Sequence, residues 1–293
     1  MSIAIRPNLE AHQTIVHSVQ AELDLCYTCN TCPAACPVNR ATSRLSPVKI
    51  VRLALYGQVD ELLALPEIWY CQRCNSCLNE CPMTVKPSAL IGFLRREAFR
   101  RQIVSERNLY DYARVWVGYH RVRWHLAALA SKQRVLDLSW DRWRKWRDTP
   151  APDLMGPLNL AAAIGSPLLD QGVIAEAGVW RCFTCGECRG VCPVFNERDV
   201  FDPLGLFRMS NFGLAETLLE SPSLWLCLGC RRCTSFCPQG VKGHQVISRL
   251  QDLAVAAGVV EADFPRRWRE INQALYPYLL KEIDAVFGFT PPE

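Results

Sequence analysis

Residues 26–37 read C-Y-T-C-N-T-C-P-A-A-C-P, and this spacing of four cysteines before a proline decides the fold. The same pattern, C-x-x-C-x-x-C-x-x-x-C-P, begins again at Cys71, at Cys182 and at Cys227. Together the four copies use all 16 cysteines of the 293-residue chain. Cysteines grouped at one fixed spacing predict metal-binding loops, so four such loops are expected here.

The four motifs form two pairs that repeat along the chain. Cys182 lies 156 positions after Cys26, and Cys227 lies 156 positions after Cys71. The same offset relates residues between and beyond the motifs without a gap: Pro47 and Pro203, Arg52 and Arg208, Gly57 and Gly213, Leu62 and Leu218, Pro66 and Pro222, Trp69 and Trp225, Val85 and Val241. This self-similarity indicates a tandem duplication of one structural unit.

The segment that connects the two motifs of a pair has the pattern of a helix. Ser46 is expected to cap a helix that begins at Pro47 and stops at Gly57. Further helices are expected over 59–65, 88–101 and 243–257. Almost no segment alternates with the two-residue period of a strand. The predicted fold is therefore mainly α, with the cysteine loops between helices.

The spacing suits iron–sulfur clusters of the [4Fe–4S] type. Cysteines at i, i+3 and i+6 in a tight loop can direct three thiolates to one cluster, and in two-cluster ferredoxins the fourth cysteine binds the other cluster. Crossing the motifs of each pair in this way predicts four ligand sets: Cys26, Cys29, Cys32 and Cys81 for cluster 1; Cys71, Cys74, Cys77 and Cys36 for cluster 2; Cys182, Cys185, Cys188 and Cys237 for cluster 3; Cys227, Cys230, Cys233 and Cys192 for cluster 4. Because each cluster would join two loops, cluster assembly and folding are expected to be coupled.

Two other uses of cysteine fit the sequence less well. Zinc prefers two separated C-x-x-C pairs or mixtures of Cys and His, and runs of four cysteines do not divide into such pairs. A disulfide framework needs an oxidising compartment, and residues 1–10 have no apolar core of signal-peptide length. A cytoplasmic protein is therefore expected, and a zinc-stabilised interaction module remains as the less favoured alternative.

The paired motifs with their helical connector resemble the α-helical ferredoxin domain of the C subunit of heterodisulfide reductase. Similar domains occur in the iron–sulfur subunits of anaerobic glycerol-3-phosphate dehydrogenase and, with altered motifs, of succinate dehydrogenase. The resemblance covers residues 22–100 and 178–256 and implies two [4Fe–4S] clusters in each unit, with the crossed cysteines described above. This chain departs from a simple C subunit because two units are fused in it.

The expected organisation is two tandem α-helical ferredoxin domains with two additional segments. The first two-cluster domain is expected at 1–101 and the second at 178–260. Between them, 102–177 combines a helical insertion rich in Trp and Arg with a proline-rich linker, and 261–293 forms a helical tail. No apolar run of about 18 residues predicts a membrane-spanning helix.

Positive charge is concentrated between Arg95 and Arg147, where 14 Lys and Arg stand against five Asp and Glu. Five of the nine tryptophans lie in the same stretch. For 112–147, ordinary packing, contact with an anionic membrane surface and, least favoured, nucleic-acid binding remain as alternatives. His120 and His125 lie five positions apart, which is poor spacing for one helical face, so partly exposed surface positions are expected rather than haem ligation or a quinone site.

The resemblance implies an electron-transfer subunit that relays electrons through four clusters in a heterodisulfide-reductase-like complex. The implied partners are a catalytic subunit with C-C-G motifs and a flavin subunit. The chain itself has no adjacent Cys-Cys pair and no G-x-G-x-x-G after a strand, so no substrate site of its own is expected. The alternative is a relay subunit of a membrane-associated, quinone-linked dehydrogenase, bound peripherally at the inner face of the membrane.

Overall fold

The protein is described by a computed structural model that covers residues 6–133, 138–152 and 176–290. Within these ranges the regular secondary structure is helical, with no strand, and the predicted mainly α fold is confirmed. Of the prolines on which the predicted linker rests, Pro157 and Pro167 lie outside the described residues.

The first repeat consists of helices separated by the cysteine loops. Their bounds are α1 Leu9–Val19, a 3₁₀ turn Leu23–Leu25, α2 Thr31–Ala35, α3 Pro37–Thr42, α4 Pro47–Leu55, α5 Val59–Ala64, α6 Glu67–Tyr70, α7 Ser76–Asn79 and α8 Pro87–Arg100. As predicted, α4 begins at Pro47 after Ser46 and stops before Gly57. Gly57 has φ +67°, and a Cβ there would lie 2.0 Å from the backbone oxygen of Asn8, so this turn requires glycine.

The Trp/Arg-rich insertion is also helical where the structure describes it. Here α9, Glu106–Ala130, is a helix of 25 residues, and α10 covers Trp140–Asp148. Apolar side chains recur at helical spacing along α9, and Val115, Tyr119, Val122 and Leu126 of this stripe are buried, whereas Leu129 is half-buried. Trp124 lies off the stripe and is buried as well, so helical periodicity accounts for only part of the buried surface of α9.

The second repeat reproduces the first at the predicted offset except at 193–198, the segment equivalent to α3, which is not helical. Its helices are α11 Glu187–Gly190, α12 Pro203–Asn211, α13 Ala215–Leu219, α14 Arg232–Ser235 and α15 Gly243–Ala256, with 3₁₀ turns at Val179–Arg181 and Pro222–Leu226, and the chain continues into α16, Phe264–Phe287. The bounds of α12 and α15 lie 156 positions after those of α4 and α8. A long-range backbone hydrogen bond repeats as well: Lys86 N–H donates to Ala21 at 3.0 Å, and Lys242 N–H donates to Ala177 at 2.8 Å. The tandem duplication is thus present in the backbone.

By contacts, the chain forms two compact units. The first contains Met1–Val115 and Gln273–Glu293, and the second contains Trp116–Asn272. Each unit includes one copy of the repeat and parts of α9 and α16. The predicted segments 1–101, 102–177, 178–260 and 261–293 follow the repeat rather than these contacts, and they stay a prediction.

A tryptophan at the same repeat position anchors the core of each unit. In the first unit, Trp69 is 1% exposed, stacks on Phe287 with ring centroids 4.3 Å apart and meets Tyr112 edge-on at 5.5 Å. In the second unit, Trp225 is 4% exposed and meets Phe264 edge-on at 4.7 Å. Aromatic pairs at these separations are favourable beyond the burial of their area. Both tryptophans stand two residues before the first cysteine of a motif, so each core packs directly beside a cysteine loop.

Candidate metal centres

Each cysteine loop turns at two residues with left-handed backbone conformation. In the first loop these are Thr28 and Asn30, with φ of 60° and 62°, and their repeat equivalents Thr184 and Gly186 have φ of 65° and 87°. The conformation costs a non-glycine residue roughly 1–2 kcal/mol, so it persists only where the surroundings enforce it. The two turns keep the chain curled between the first and third cysteines of a motif.

In the first unit, a cavity is lined by four cysteines that come from both motifs. They are the members of the predicted first ligand set, Cys26, Cys29, Cys32 and Cys81. Cys29 Sγ lies 3.3 Å from Thr31 Oγ1, and hydrogen bonding by Thr31 lowers the pKa of the Cys29 thiol. Burial raises the pKa of Cys32 to about 11, and the negative charges of Cys26 and Cys81 act in the same direction. The structure therefore brings Cys81 to the triplet of the other motif.

The second predicted set of this unit is more deeply buried. Cys36, Cys74 and Cys77 are all buried. Burial raises the pKa of Cys36 to about 12, and repulsion from Cys71 and Cys74 adds to this effect. Burial also raises the pKa of Cys77, with the charges of Cys71, Cys74 and Cys36 acting in the same direction. Cys36 thus lies near the triplet of the opposite motif.

In the second unit, Cys192 likewise lies near the triplet of the opposite motif. Burial raises the pKa of Cys192 to about 12, and the charges of Cys227 and Cys230 contribute to the rise. Burial raises the pKa of Cys233 as well, again with repulsion from Cys227, Cys230 and Cys192. Thiols from both motifs of this unit therefore lie close enough to influence one another, and the fourth ligand set stays a prediction.

In the third predicted set, mutual influence is evident among three of the four thiols. Burial raises the pKa of Cys188 to about 11, with Cys182 and Cys185 adding repulsion. These three cysteines belong to one motif. Cys237 occupies the repeat position of Cys81, and its membership of the third set rests on the duplication.

The sets alternate in exposure. Cys29 and Cys185, at equivalent positions of the first and third sets, are exposed, whereas the second and fourth sets contain no exposed cysteine. Beside these two cysteines, the equivalent aromatic residues Tyr27 and Phe183 are 59% and 57% exposed. Each unit thus has one set open to solvent and one more protected.

The donor chemistry of these sets fits an iron–sulfur cluster. Thiolates are soft ligands that select iron–sulfur clusters, copper(I) or zinc. Among the described residues, no group of three or more His, Cys, Asp or Glu side chains is arranged to hold a single metal ion. A cubane accepts each thiolate on a separate iron, so its ligands need not converge on one point. Because the buried thiols have raised pKa values, cluster binding must also displace protons.

Two arginines that the sequence analysis did not single out lie beside the buried sets. In the first unit, Arg95 donates to the backbone oxygens of Ile68, Trp69 and Cys71 at 2.7, 3.2 and 2.5 Å. In the second unit, Arg123 donates to the backbone oxygen of Leu226 at 2.9 Å. Burial raises the pKa of Cys227 to about 11, and the charge of Arg123 opposes that rise.

His120 is buried rather than partly exposed, which corrects the expectation from its spacing. It is 1% exposed, its Nδ1 lies 3.2 Å from Arg123 Nη1, and its Nε2 lies 3.3 Å from the backbone oxygen of Pro193. Arginine can only donate hydrogen bonds, so His120 Nδ1 is the acceptor from Arg123. The ring proton is therefore on Nε2, which donates a hydrogen bond to the backbone oxygen of Pro193. Burial and the charge of Arg123 lower the pKa of His120 well below its usual value, so the ring is neutral. The spacing of His120 and His125 relates the two residues only to each other and does not indicate that a distant loop covers His120.

The tryptophans of α10 pack against their own unit. Trp143 is 2% exposed and lies near Tyr119, with ring centroids 6.1 Å apart. Trp140 stacks on Trp143 at 6.1 Å, and Trp146 stacks on His125 at 5.8 Å. Of the alternatives for 112–147, ordinary packing is the one that these contacts favour. No helix in the described ranges is long and apolar enough to cross a membrane.

Comparison with known families identifies the repeated unit. Residues 15–85 and 178–241 each match the 4Fe-4S dicluster domain. Two copies of a two-cluster domain correspond to four [4Fe–4S] clusters, which confirms the predicted cofactor and the tandem arrangement.

Curated relatives are iron–sulfur subunits. The chain is 37% identical over 89 residues to the second C-type iron–sulfur subunit of CoB–CoM heterodisulfide reductase from Methanocaldococcus jannaschii, a match that covers 30% of this chain and 45% of the relative. It is 30% identical over 105 residues to a protein of Archaeoglobus profundus that is described as similar to the C subunit of heterodisulfide reductase, covering 33% of this chain and 56% of that protein. The chain thus spans about half the length of the curated relatives that it matches. These relatives confirm the resemblance noted from the motifs.

Proposed function

We propose that this chain, a duplicated relative of the C subunit of heterodisulfide reductase, relays electrons through four [4Fe–4S] clusters in a multisubunit oxidoreductase. The clusters supply one-electron redox chemistry, and the cysteines of the four sets hold them. In this proposal each triplet binds one cluster, and the fourth ligand comes from the other motif of the same pair: Cys81 for cluster 1, Cys36 for cluster 2, Cys237 for cluster 3 and Cys192 for cluster 4.

The alternation of exposure carries this proposal. A relay needs one site that a partner can approach and a further site that is protected from solvent. Cys29 and Cys185 are exposed in the first and third sets, whereas Cys36, Cys74 and Cys77 of the second set are buried. A purely structural metal site has no need of such a graded series.

The proposed partners are a catalytic subunit with C-C-G motifs and a flavin subunit. Support comes from the names of the relatives, which are subunits of heterodisulfide reductases. Tyr27 and Phe183 expose aromatic rings beside the outer cysteines, where a partner could approach. A quinone-linked role would require membrane contact through 112–147, and the inward packing of Trp143 speaks against it.

Anaerobic purification of the full chain tests the proposal. We expect a brown protein with about four irons for each set of four cysteines and with low-temperature EPR signals of reduced [4Fe–4S] clusters. Co-purification of a subunit with C-C-G motifs would support the proposed complex. A colourless preparation with stoichiometric zinc would overturn the relay function, and a co-purifying integral membrane subunit would replace the proposed partners by a quinone-linked system.

A further inference from the structure

The two units differ in the source of positive charge beside their protected cysteine set. Arg95 stands on α8, and the position 156 residues later on α15 is Gln251. Arg95 Nε donates to the backbone oxygen of Ile68 at 2.7 Å, and Gln251 Nε2 donates at 2.9 Å to that of Leu224, the repeat equivalent of Ile68. The hydrogen bond is therefore shared by the two repeats, but the charge of Arg95 is not.

In the second unit, α9 supplies a guanidinium instead. Arg123 is 1% exposed, and its Nη2 donates at 2.9 Å to the oxygen of Leu226, the residue before Cys227. Its Nε donates to Asn272 Oδ1 at 2.7 Å, and its Nη1 donates to His120 at 3.2 Å. His120 in turn donates to Pro193, the residue after Cys192. The pair thus contacts both loops that contribute to the fourth set.

Arg123 is a buried cation whose hydrogen-bond partners within the described ranges are neutral. Removing a guanidinium from water without a counter-charge is costly, so such groups are normally paired with an anion. The neutral His120 supplies no negative charge. A [4Fe–4S] cluster held by four thiolates carries a net negative charge that increases on reduction, and in a site of low dielectric constant a nearby cation interacts strongly with it.

We propose that Arg123 is the counter-charge of the cluster held by Cys227, Cys230 and Cys233, and that it raises the reduction potential of this cluster. Arg123 is a positioning residue. It provides in the second unit the positive charge that Arg95 provides in the first. His120 fixes the guanidinium and links it to the loop of Cys192. This inference rests on the proposed cluster binding, and it holds whether or not the fourth ligands cross between motifs.

The test is an EPR-monitored redox titration of the anaerobically purified full chain and its variants. In Arg123→Gln, we expect one cluster to be at least tenfold harder to reduce, which is about 59 mV for one electron, while the iron content stays that of the parent. The shifted signal should be the one that is lost from Cys230→Ala. Arg121→Gln is the matched control, because Arg121 is on the same helix and pairs with Glu197; it should leave all four potentials unchanged.

A second variant tests the effect of positive charge on this cluster without removing a buried side chain. Gln251→Arg places in the second unit the residue that the first unit has, and it should raise the potential of the same cluster. In the double variant Arg123→Gln with Gln251→Arg, we expect the potential to return toward that of the parent. Iron-replete Arg123→Gln and Gln251→Arg proteins with four unchanged potentials would show that Arg123 only packs, and would overturn the inference. A parent protein without iron would overturn the proposed function instead.

Discussion

Cys81 illustrates at the level of one residue how two loops of the first unit depend on each other. It stands in the second motif, yet it lines the same cavity as Cys26, Cys29 and Cys32 of the first motif. Burial raises the pKa of Cys32, and Cys81 is one of the charges that add to this effect. A cluster in this cavity would take its fourth ligand from a loop about 50 residues away, so that one metal centre would hold both loops in place.

Replacing Cys81 by alanine tests this crossed arrangement directly. In Cys81→Ala, we expect the thiols of Cys26, Cys29 and Cys32 to react with iodoacetamide under anaerobic conditions, because their cluster has lost a ligand. Cys71, Cys74 and Cys77 should stay protected. Mass spectrometry of the alkylated peptides measures both groups.

The matched control for this prediction is Cys36→Ala, which should give the opposite pattern. There the Cys71, Cys74 and Cys77 thiols should become reactive while the Cys26 triplet stays protected. If each substitution instead exposes the triplet of its own motif, each motif binds its cluster alone and the crossed assignment is wrong.

At the level of elements, α8 and α15 have identical length and equivalent position but different polar contacts. Near its end, α8 carries Glu97, whose carboxylate accepts from Arg100 at 2.6 and 2.8 Å and from Arg101 at 2.6 Å. The position equivalent to Glu97 on α15 is Leu253. Hydrogen bonds from Arg100, followed by those from Arg101, lower the pKa of Glu97 to about 2. This charge cluster therefore stabilises the end of α8 only, and it is a feature of one unit.

Glu97→Gln should lower the free energy of unfolding by about 1 kcal/mol at pH 7, since two exposed arginines lose the anion that they bind and water screens part of each interaction. The pKa of Glu97 is lowered in the folded state, so its contribution is fully present above the unfolded value of about 4.3 and is lost as the pH falls toward 2. The difference in melting temperature between parent and variant should therefore be larger at pH 5 than at pH 3. Anaerobic calorimetry at both values measures it.

The control on the same unit is Glu61→Gln on the exposed side of α5, which should change the melting temperature little at either pH. A difference between parent and Glu97→Gln that stays the same from pH 5 to pH 3 would mean that the pKa of Glu97 is not lowered. The proposed role of Arg100 and Arg101 would then be wrong.

On the scale of the whole molecule, the stability of the short helices depends on the longer helices and the clusters that they contact. Helices such as α7, Ser76–Asn79, and α14, Arg232–Ser235, have four residues each, which is far too short for stability in isolation. They include the third cysteine of a motif. In the first unit α7 packs against α8, and in the second α14 packs against α15. This packing supports one side of each loop, and the bound cluster is expected to support the other.

Removing the clusters from the full chain should therefore weaken both units. After anaerobic treatment with a chelator and a mild oxidant, followed by reduction of the thiols, we expect the melting temperature to fall by about 10 °C or more. Limited proteolysis should then cut first in the cysteine loops. Reconstitution with iron and sulfide should restore both properties. An apoprotein that melts at the temperature of the holoprotein would show that the loops fold without their clusters.

The sequence by itself determined the number of cysteine sets, the tandem duplication and, to within about two residues, the bounds of α4, α5, α8 and α15. These properties are local, because the spacing Cys26 to Cys36, the proline that begins α4 and the glycine that follows it act over a few residues. The offset of 156 positions then related α4 and α8 of the first repeat to α12 and α15 of the second. For the same reason, the predicted helices over 88–101 and 243–257 differ from the observed ones by at most one residue at each end.

Only the tertiary structure decided what surrounds the cysteine sets. Arg123 and Leu226 are 103 positions apart in sequence, and nothing in the local pattern of α9 indicates which distant loop its side chains reach. His120 and Arg123 stand beside the apolar stripe of α9, and periodicity alone assigns such polar positions to the surface. They are buried because a cysteine loop and α16 cover that side of the helix. Long-range packing, rather than helix propensity or motif spacing, places their charge and hydrogen bonds beside the candidate metal centre.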